Sequence, residues 1–496
     1  MEKSEIMKNR VESLGSAEEE PYGSFQRLFK DCSDVHINKL NLTQQDGSSF
    51  LLLFVYCEGL CDTHRIHQFF IPHLIEMFKE HVISNDGELQ QHLPFQLNPI
   101  PEGWDDEIII NKVFNGELLA YFQENASLYT WDIANAPQRK TEESNAEISV
   151  RGPRDGFIED AKVNVALIRK RLKTNALAIE EYTLGTQTQT KTLLLYLKDA
   201  IKPTIVEEVT SRLASLKLKG VISSSQLEEG LDSNKFFSKF VYTGRPDFAV
   251  NSLMHGRFVI VVDGSPTAII GPVNFTFLFN TSEDAYTLNW FVMFTRLMRL
   301  CGIFLSVFLP GFWIALLTYH QDQLPFTLLG TLLISRQGVP LPAPLEAVVM
   351  ILLFELFREA GMRLPSSFGQ TISVVGGLIV GQAAISAGMT APGILVVVAI
   401  SVLASFTMVN QNMVGFVSLI RLIVLIVSGV LGLFGLLICM LAIAIYMVNL
   451  QSFGIKYLSP VAPINFRDLL KILFRMPWGK KEGMPDFIRK TGDDQT

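Results

Sequence analysis

The sequence predicts an α/β N-terminal soluble region of two subdomains, followed by an all-α multi-span membrane domain. Three observations carry this expectation. Charge is split along the 496 residues: positions up to 295 hold most of it, and residues 300–450 hold very little. Uncharged apolar stretches of membrane-spanning length occur in the second region. The first region instead alternates short apolar runs, rich in β-branched and aromatic residues, with apolar residues at helical spacing. The averages of 18% charged residues and +0.28 mean hydropathy therefore conceal two segments suited to different solvents.

Residues 1–24 read as a flexible tail, acidic at Glu18, Glu19 and Glu20 and poor in large apolar side chains. No basic start followed by an apolar run appears there, so the N-terminal domain is expected in the cytosol. The first α/β subdomain spans 25–135. Its run from Phe50 to Tyr56 suits a buried strand, Gly59 a turn, and Ile66, Phe69, Phe70, Leu74 and Phe78 a helix, with Pro72 near its start or at a kink. A polar, aperiodic linker covers 136–155.

The second α/β subdomain spans 156–290. It holds a basic helix around Leu167, Ile168 and Leu172, a strand from Leu193 to Leu197, and a helix with Ile205, Val209, Leu213 and Leu216 on one face. A hairpin runs from Phe258 to Ile270 and turns at Asp263-Gly264.

The membrane domain spans 291–450, with spans near 300–319, 371–387, 393–409 and 422–448. Pro310-Gly311 interrupts the first. Apolar segments 324–334 and 347–357 are too short to span and are expected to be re-entrant, interfacial or protein-buried. Residues 451–496 form a basic tail. Arg296, Arg299 and that tail place both termini in the cytosol by the positive-inside rule.

The net charge of −7 shows no basic excess, so no nucleic-acid partner is predicted. Cys32, Cys57, Cys61, Cys301 and Cys439 form no C-x-x-C pair, as in a reducing compartment. Cys57, Cys61, Asp62, His64, His67 and His73 crowd one stretch, but their spacing fits no structural zinc pattern. A strand end beside a His-rich surface helix explains them, so no metal and no cofactor is expected. No phosphate-binding loop and no nucleophile elbow is present, so no catalytic residue and no enzymatic activity is predicted.

Three clusters remain as candidates. Arg151 and Arg154, in a Gly/Pro turn, either bind a phosphate or a neighbouring carboxylate, or close an interdomain or intersubunit turn. Glu355, Arg358 and Glu359 lie close on one helix, with Arg421 as a further cation before the last span. They read either as an intramembrane charge network or as a helix resting on the bilayer surface. Arg421 itself is expected at a membrane interface, with Glu355 as its candidate partner. Ser373, Gly377, Gly381, Ala384 and Gly388 form a small-residue stripe with Gln382 beside it, suited to a pore lining or to helix packing.

Several long motifs occur in order: Val150-Arg-Gly-Pro-Arg-Asp-Gly-Phe157, Gly244-Arg-Pro-Asp247, Asp263-Gly-Ser-Pro266, the stretch from Leu309 to Gln321, that from Phe354 to Pro365, and Val375-Gly-Gly-Leu-Ile-Val-Gly-Gln-Ala-Ala384. Together they resemble the A-subunit family of GerA-type spore germinant receptors, from about residue 25 onward. Thr407-Met-Val-Asn-Gln411 departs from a segment that is usually proline-containing in that family. The resemblance implies a multi-pass subunit of the spore inner membrane, partnered by a transporter-like B subunit and a lipoprotein C subunit. It further implies homo-oligomerisation into a nutrient-gated ion channel. A secondary transporter and a purely structural scaffold are the alternatives. A transporter is disfavoured because no internal repeat is visible in the sequence.

Overall fold

The computed structural model describes residues 21–44, 48–81, 92–101, 104–123, 125–137, 152–232, 239–363, 381–408 and 411–465. The first unit begins with α1 (Pro21–Leu28), β1 (Val35–Thr43) and β2 (Ser49–Cys57). A helical turn at Thr63–Arg65 continues through a π-helical turn, Ile66–Phe70, into α2 (Ile71–Glu80). Next come β3 (Asn98–Ile100), α3 (Asp106–Phe114), β4 (Glu117–Phe122) and β5 (Ser127–Asp132). All strand pairings are antiparallel, in the order β1-β2-β4-β5-β3.

Strand β2 is buried on both faces, because side chains alternate across a pleated sheet. Leu52, Phe54 and Tyr56 join Ile66, Phe70, Leu74 and Phe78 on one side. Leu53, Val55 and Cys57 join Phe25, Phe29, Ile109 and Val113 on the other. Phe69, placed by spacing on the helix's apolar face, is exposed instead, since the π turn adds a residue and rotates it outward.

The second unit holds α4 (Ala161–Arg169), β6 (Leu177–Leu184), β7 (Thr190–Leu197), α5 (Pro203–Ser215), α6 (Ser224–Leu231), β8 (Val241–Thr243), α7 (Pro246–Met254), β9 (Phe258–Val262) and β10 (Ala268–Gly271). Its sheet, β6-β7-β9-β10-β8, is again entirely antiparallel. Both units thus run helix, two strands, helix, strand, helix, two strands, with the third strand at the sheet edge. The sequence shows no repeat, yet the topology is one.

The units meet across complementary charge. The Arg169 guanidinium is fully buried and grips Asp34 of the first unit with two 2.8 Å hydrogen bonds. It also lies over the Phe114 ring, 4.3 Å from its centroid. Lys162 bonds Glu58 at 2.8 Å, and Lys198 pairs with Asp31. Gly59, at φ +84°, lets the chain pass beneath Ala166, whose Cβ lies 3.0 Å from where a glycine Cβ would sit.

The helical region starts with α8 (Asn289–Tyr319), continuous through Pro310. Then follow α9 (Phe326–Ser335), α10 (Ala343–Arg363), α11 (Gly381–Ser386), α12 (Pro392–Ser405) and α13 (Gln411–Asn449). Only α8 and Met413–Asn449 are long and apolar enough, among the described residues, to cross a membrane, while α9 and α12 are shorter apolar helices. Segment 347–357 is the middle of the 21-residue α10. Most of 371–387 lies outside the described residues.

Segment 422–448 is not one straight span. Gly432 breaks α13 at φ 66°, ψ −149°, a region essentially restricted to glycine. Val417, Ile420 and Val424 before the break share an apolar cluster with Leu436, Cys439, Met440 and Ile443 after it. Met413 and Met447 both reach the core of the second α/β unit. A straight helix would hold those two about 50 Å apart. Residues 411–431 and 433–449 are therefore the arms of a helical hairpin whose tip lies far from the α/β units. Tyr319, at the end of α8, donates a 2.8 Å hydrogen bond to the Val430 carbonyl beside the tip.

Residues 450–465 were expected within a basic tail, but they return to the second unit. The β-hairpin of β11 (Gln451–Ser452) and β12 (Ile455–Lys456) seats Phe453 between Phe240 and Phe258. The Tyr457 carbonyl accepts from Phe275 N at 2.7 Å, and the Ser459 carbonyl accepts from Asn274 at 2.9 Å. Residues 466–496 lie outside the described residues.

Gly432→Ala adds strained backbone and a Cβ about 3 Å from the Tyr319 ring. The expected cost is about 1–3 kcal/mol, read as a lower thermal midpoint in detergent. Gly415→Ala, where a Cβ meets nothing within 4 Å, should leave the midpoint unchanged or slightly raised. Equal responses of the two variants would remove the special role assigned to the tip.

Candidate functional site

The polar groups that link the α/β units to the helices form two clusters. The first lies where the second unit hands over to α8. Arg245, before α7, is almost fully buried and bonds both oxygens of Asp247, at 3.1 and 2.7 Å, and Glu283 at 2.6 Å. Tyr286 adds a hydrogen bond to Asp247 at 3.0 Å. Thr281 and Asp284 form a capping box around a 3₁₀ turn, and buried Asp284 then accepts from Arg296 at 3.1 Å and Arg299 at 3.0 Å. Those two arginines, read from sequence as orientation signals, are also the bolts that hold α8 to the second unit.

Electrostatics follow from this packing. Burial by itself raises the Asp284 carboxyl, but the Arg299 hydrogen bond and charge, with Thr281 and Arg296, outweigh it and hold the carboxyl below its usual range. Arg257 is enclosed beside the same junction with its guanidinium 3.8 Å over the Phe277 ring, and burial pushes it down to about 9. Sequence reasoning singled out neither Arg257 nor Asp284.

The second cluster lies inside the bundle. Glu355 on α10 pairs with Arg421 on α13 and with Arg358 on its own helix. Ser418 donates to Glu355 and accepts from Arg421. The structure thus brings Glu355, Arg358 and Arg421 together, and leaves Glu359 on the exposed side of α10. Arg421 does not sit at a helix start or an interface as expected. Its helix begins at Gln411, so it lies almost three turns in, fully buried among helices, with a carboxylate in reach. Towards the far end of the bundle, fully buried Glu346 accepts from Arg336 at 2.8 Å and from Ala391 N at 3.0 Å.

The small-residue stripe is only partly described. Ser373 and Gly377 lie outside the described residues. Gly381 and Ala384 are buried, and Ala384 packs in the cluster of Ile394 and Val398. Gln382 is exposed. Gly388 does not continue the stripe, because α11 ends at Ser386 and Gly388 turns the chain at φ +68°. The closest helix approaches fall elsewhere, at Gly302 against Thr407 and at Gly311 against Val424 and Ser428.

Arg151 lies outside the described residues. Arg154 is exposed, and the acid of its motif, Asp155, is held by Arg171 through two hydrogen bonds of 2.8 and 2.6 Å. The buried interdomain arginine is Arg169. Its signal, a cation inside the apolar pattern of α4, was legible as a basic helix but not as a pair. In the Cys/His stretch, Cys57 donates to Asp34, Cys61 to the Cys57 carbonyl, and Asp62 caps the helix at Thr63. His64 and His67 are exposed. Burial pushes the Cys61 thiol up to about 12. Among the described residues no three His, Cys, Asp or Glu side chains group so as to hold a metal ion.

Asp284 supplies a pH test. Its carboxyl is depressed in the folded state, so its stabilisation is complete above the ordinary carboxylate value of about 3.9 and is lost as pH falls below it. Acidification below about pH 4 should therefore raise hydrogen exchange around 281–299. Asp284→Asn should show that exchange already at neutral pH, with a loss of about 3–5 kcal/mol for stranding buried arginines. An exchange pattern unchanged by the substitution would refute the junction role.

The family described as "Bacillus/Clostridium GerA spore germination protein" matches residues 23–487. Spore germination protein XA of Bacillus anthracis is 45% identical over 459 residues, covering 92% of this chain and 93% of that protein. Spore germination protein KA of Bacillus subtilis (strain 168) is 32% identical over 464 residues, covering 92% and 84%. Among solved structures, the N-terminal domain of the A subunit of the Bacillus megaterium spore germinant receptor GerK3 is 21% identical with a TM-score of 0.38, covering 51% of this chain and 93% of that one. A match that runs from the first α/β unit past the last helix shows that this chain belongs to the Bacillus/Clostridium GerA spore germination protein family.

Proposed function

We propose that this chain is the A-type membrane subunit of a nutrient germinant receptor, which helps trigger spore germination by oligomerising into a nutrient-gated ion channel in the spore inner membrane. The observation that carries the reading is the family match over 23–487, on a chain whose charged α/β units are bolted to long apolar helices. Its proposed partners are the transporter-like B subunit and the lipoprotein C subunit of the same receptor, and membrane lipid. No catalytic role is assigned.

The geometry supports a defined insertion. Helix α8 has 31 residues, or about 46 Å, against a hydrocarbon core of about 30 Å. Its first turns expose Trp290 and carry Arg296 and Arg299, the residue types of a cytosolic interface. Each arm of the α13 hairpin is about 25–30 Å long, and the hairpin exposes Phe434, Leu437 and Leu441 to lipid or to neighbouring copies. Both α/β units and residues 450–465 then lie on the cytosolic side, with the Gly432 tip at the outer face. Buried Gly381 and Ala384 support the packing reading of the small-residue stripe.

The test is oligomeric state and topology together. Detergent-purified chain should form a closed ring, whereas a monomer with bound solute would favour the carrier alternative. Single cysteines at 432 and 460, placed in a background without other reactive thiols, should label with an impermeant reagent from outside and from inside respectively. Labelling of 460 from outside would overturn the orientation. Ala384→Ser should leave ion release normal, and spontaneous opening in an assembled complex would return that residue to the pore.

A further inference from the structure

We propose that the cluster of Arg421, Arg358 and Glu355 inside the bundle is a binding site for one small inorganic anion of the halide class. Two guanidiniums meet a single carboxylate there: one oxygen of Glu355 pairs with Arg421 Nη2 and the other with Arg358 Nη2. Arginine keeps its proton in proteins, so these three groups carry one positive charge in excess. The hydrogen-bond count is also short. Arg421 Nε, Arg421 Nη1 and Arg358 Nη1 are buried without any acceptor. The Ser418 hydroxyl is already engaged by Glu355 and by Arg421 Nη2. Glu359, one turn along α10, reaches none of the three orphaned nitrogens.

Buried donors without acceptors are rare, and uncompensated charge among apolar helices is costly. A halide removes both deficits at once. It returns the one missing negative charge and accepts several N–H groups without demanding a fixed direction. Water would satisfy the nitrogens and leave the charge, and a dianion would overshoot it. Access is available: Arg421 is fully enclosed, but the side chains of Arg358 and Glu355 keep 20% and 22% exposure, so the cluster opens on one side. The proposal stands on this geometry and not on the receptor reading.

The test uses the full chain in detergent. Thermal unfolding is followed in sodium chloride, sodium bromide and sodium gluconate at equal ionic strength. Chloride and bromide should raise the midpoint saturably, and gluconate should not. Glu355→Gln deepens the local positive charge, so its halide affinity should rise about tenfold or more. Arg421→Met should abolish the halide response. If Arg421→Met does not fold, the wild-type salt comparison and the Glu355→Gln affinity decide. Equal responses to chloride and gluconate in the wild type, unchanged affinity in Glu355→Gln, or a halide response retained by Arg421→Met would each overturn the site.

Discussion

The Arg169 guanidinium has no contact with solvent, and Asp34 of the other α/β unit is its carboxylate. A buried guanidinium cannot discharge itself, so it must be matched by an anion at close range. The same constraint recurs at each joint. Arg245 and the Arg296–Arg299 pair close on Asp247, Glu283 and Asp284 where the second unit meets α8. Arg421 closes on Glu355 within the bundle. Each pair locks two elements that are distant in sequence, and fixes their relative placement more strictly than apolar contact does, since a guanidinium fork has direction. Apolar burial supplies the cores, and the buried arginines decide how the cores are arranged.

The reversal at Gly432 gives this arrangement its second property. Because the hairpin of α13 returns to its starting level, α8 and both hairpin arms are anchored on the second α/β unit. Asp284 holds the first of these, Met413 enters the apolar core at the second, and Phe453 and Tyr457 enter at the third. The second unit is therefore a platform from which three helical segments rise. A displacement of any one of them is felt in the same sheet, whose strand β9 contributes side chains to the cores on both of its faces. Close packing makes such a platform respond as a whole rather than locally.

The two α/β units are variations on one topology, and their differences are informative. Both place a short third strand at the sheet edge and a helix before the first strand. Helix α1 precedes the first sheet, and its counterpart α4 carries the basic residues that dock the second unit onto the acidic side of the first. The basic character of α4, which in isolation reads as a solvated face, is in fact interface chemistry. Lys162 and Arg169 are seven residues apart, two turns along the same helical face, so one helix addresses both Glu58 and Asp34.

The sequence by itself determined the division of the chain, the strand at Phe50–Tyr56, the helix bearing Ile205, Val209 and Leu213, the hairpin from Phe258 to Ile270, and the apolar character of α8 and α13. All rest on local periodicity and composition, which act within a few residues. It also brought forward Glu355 and Arg421 as a candidate pair, because a charge in an apolar run has few options. What only the tertiary structure decided are the matters that depend on long-range partners. Arg169 finds Asp34 across 135 positions, and no local pattern marks that choice. Gly432 reads as one more small residue in an apolar run until the positive φ and the packing of Leu436 against Val424 reveal a turn. Arg421 is an interfacial residue by its place in the sequence and a core residue by its neighbours, because the cost of burying its charge is set by what stands opposite.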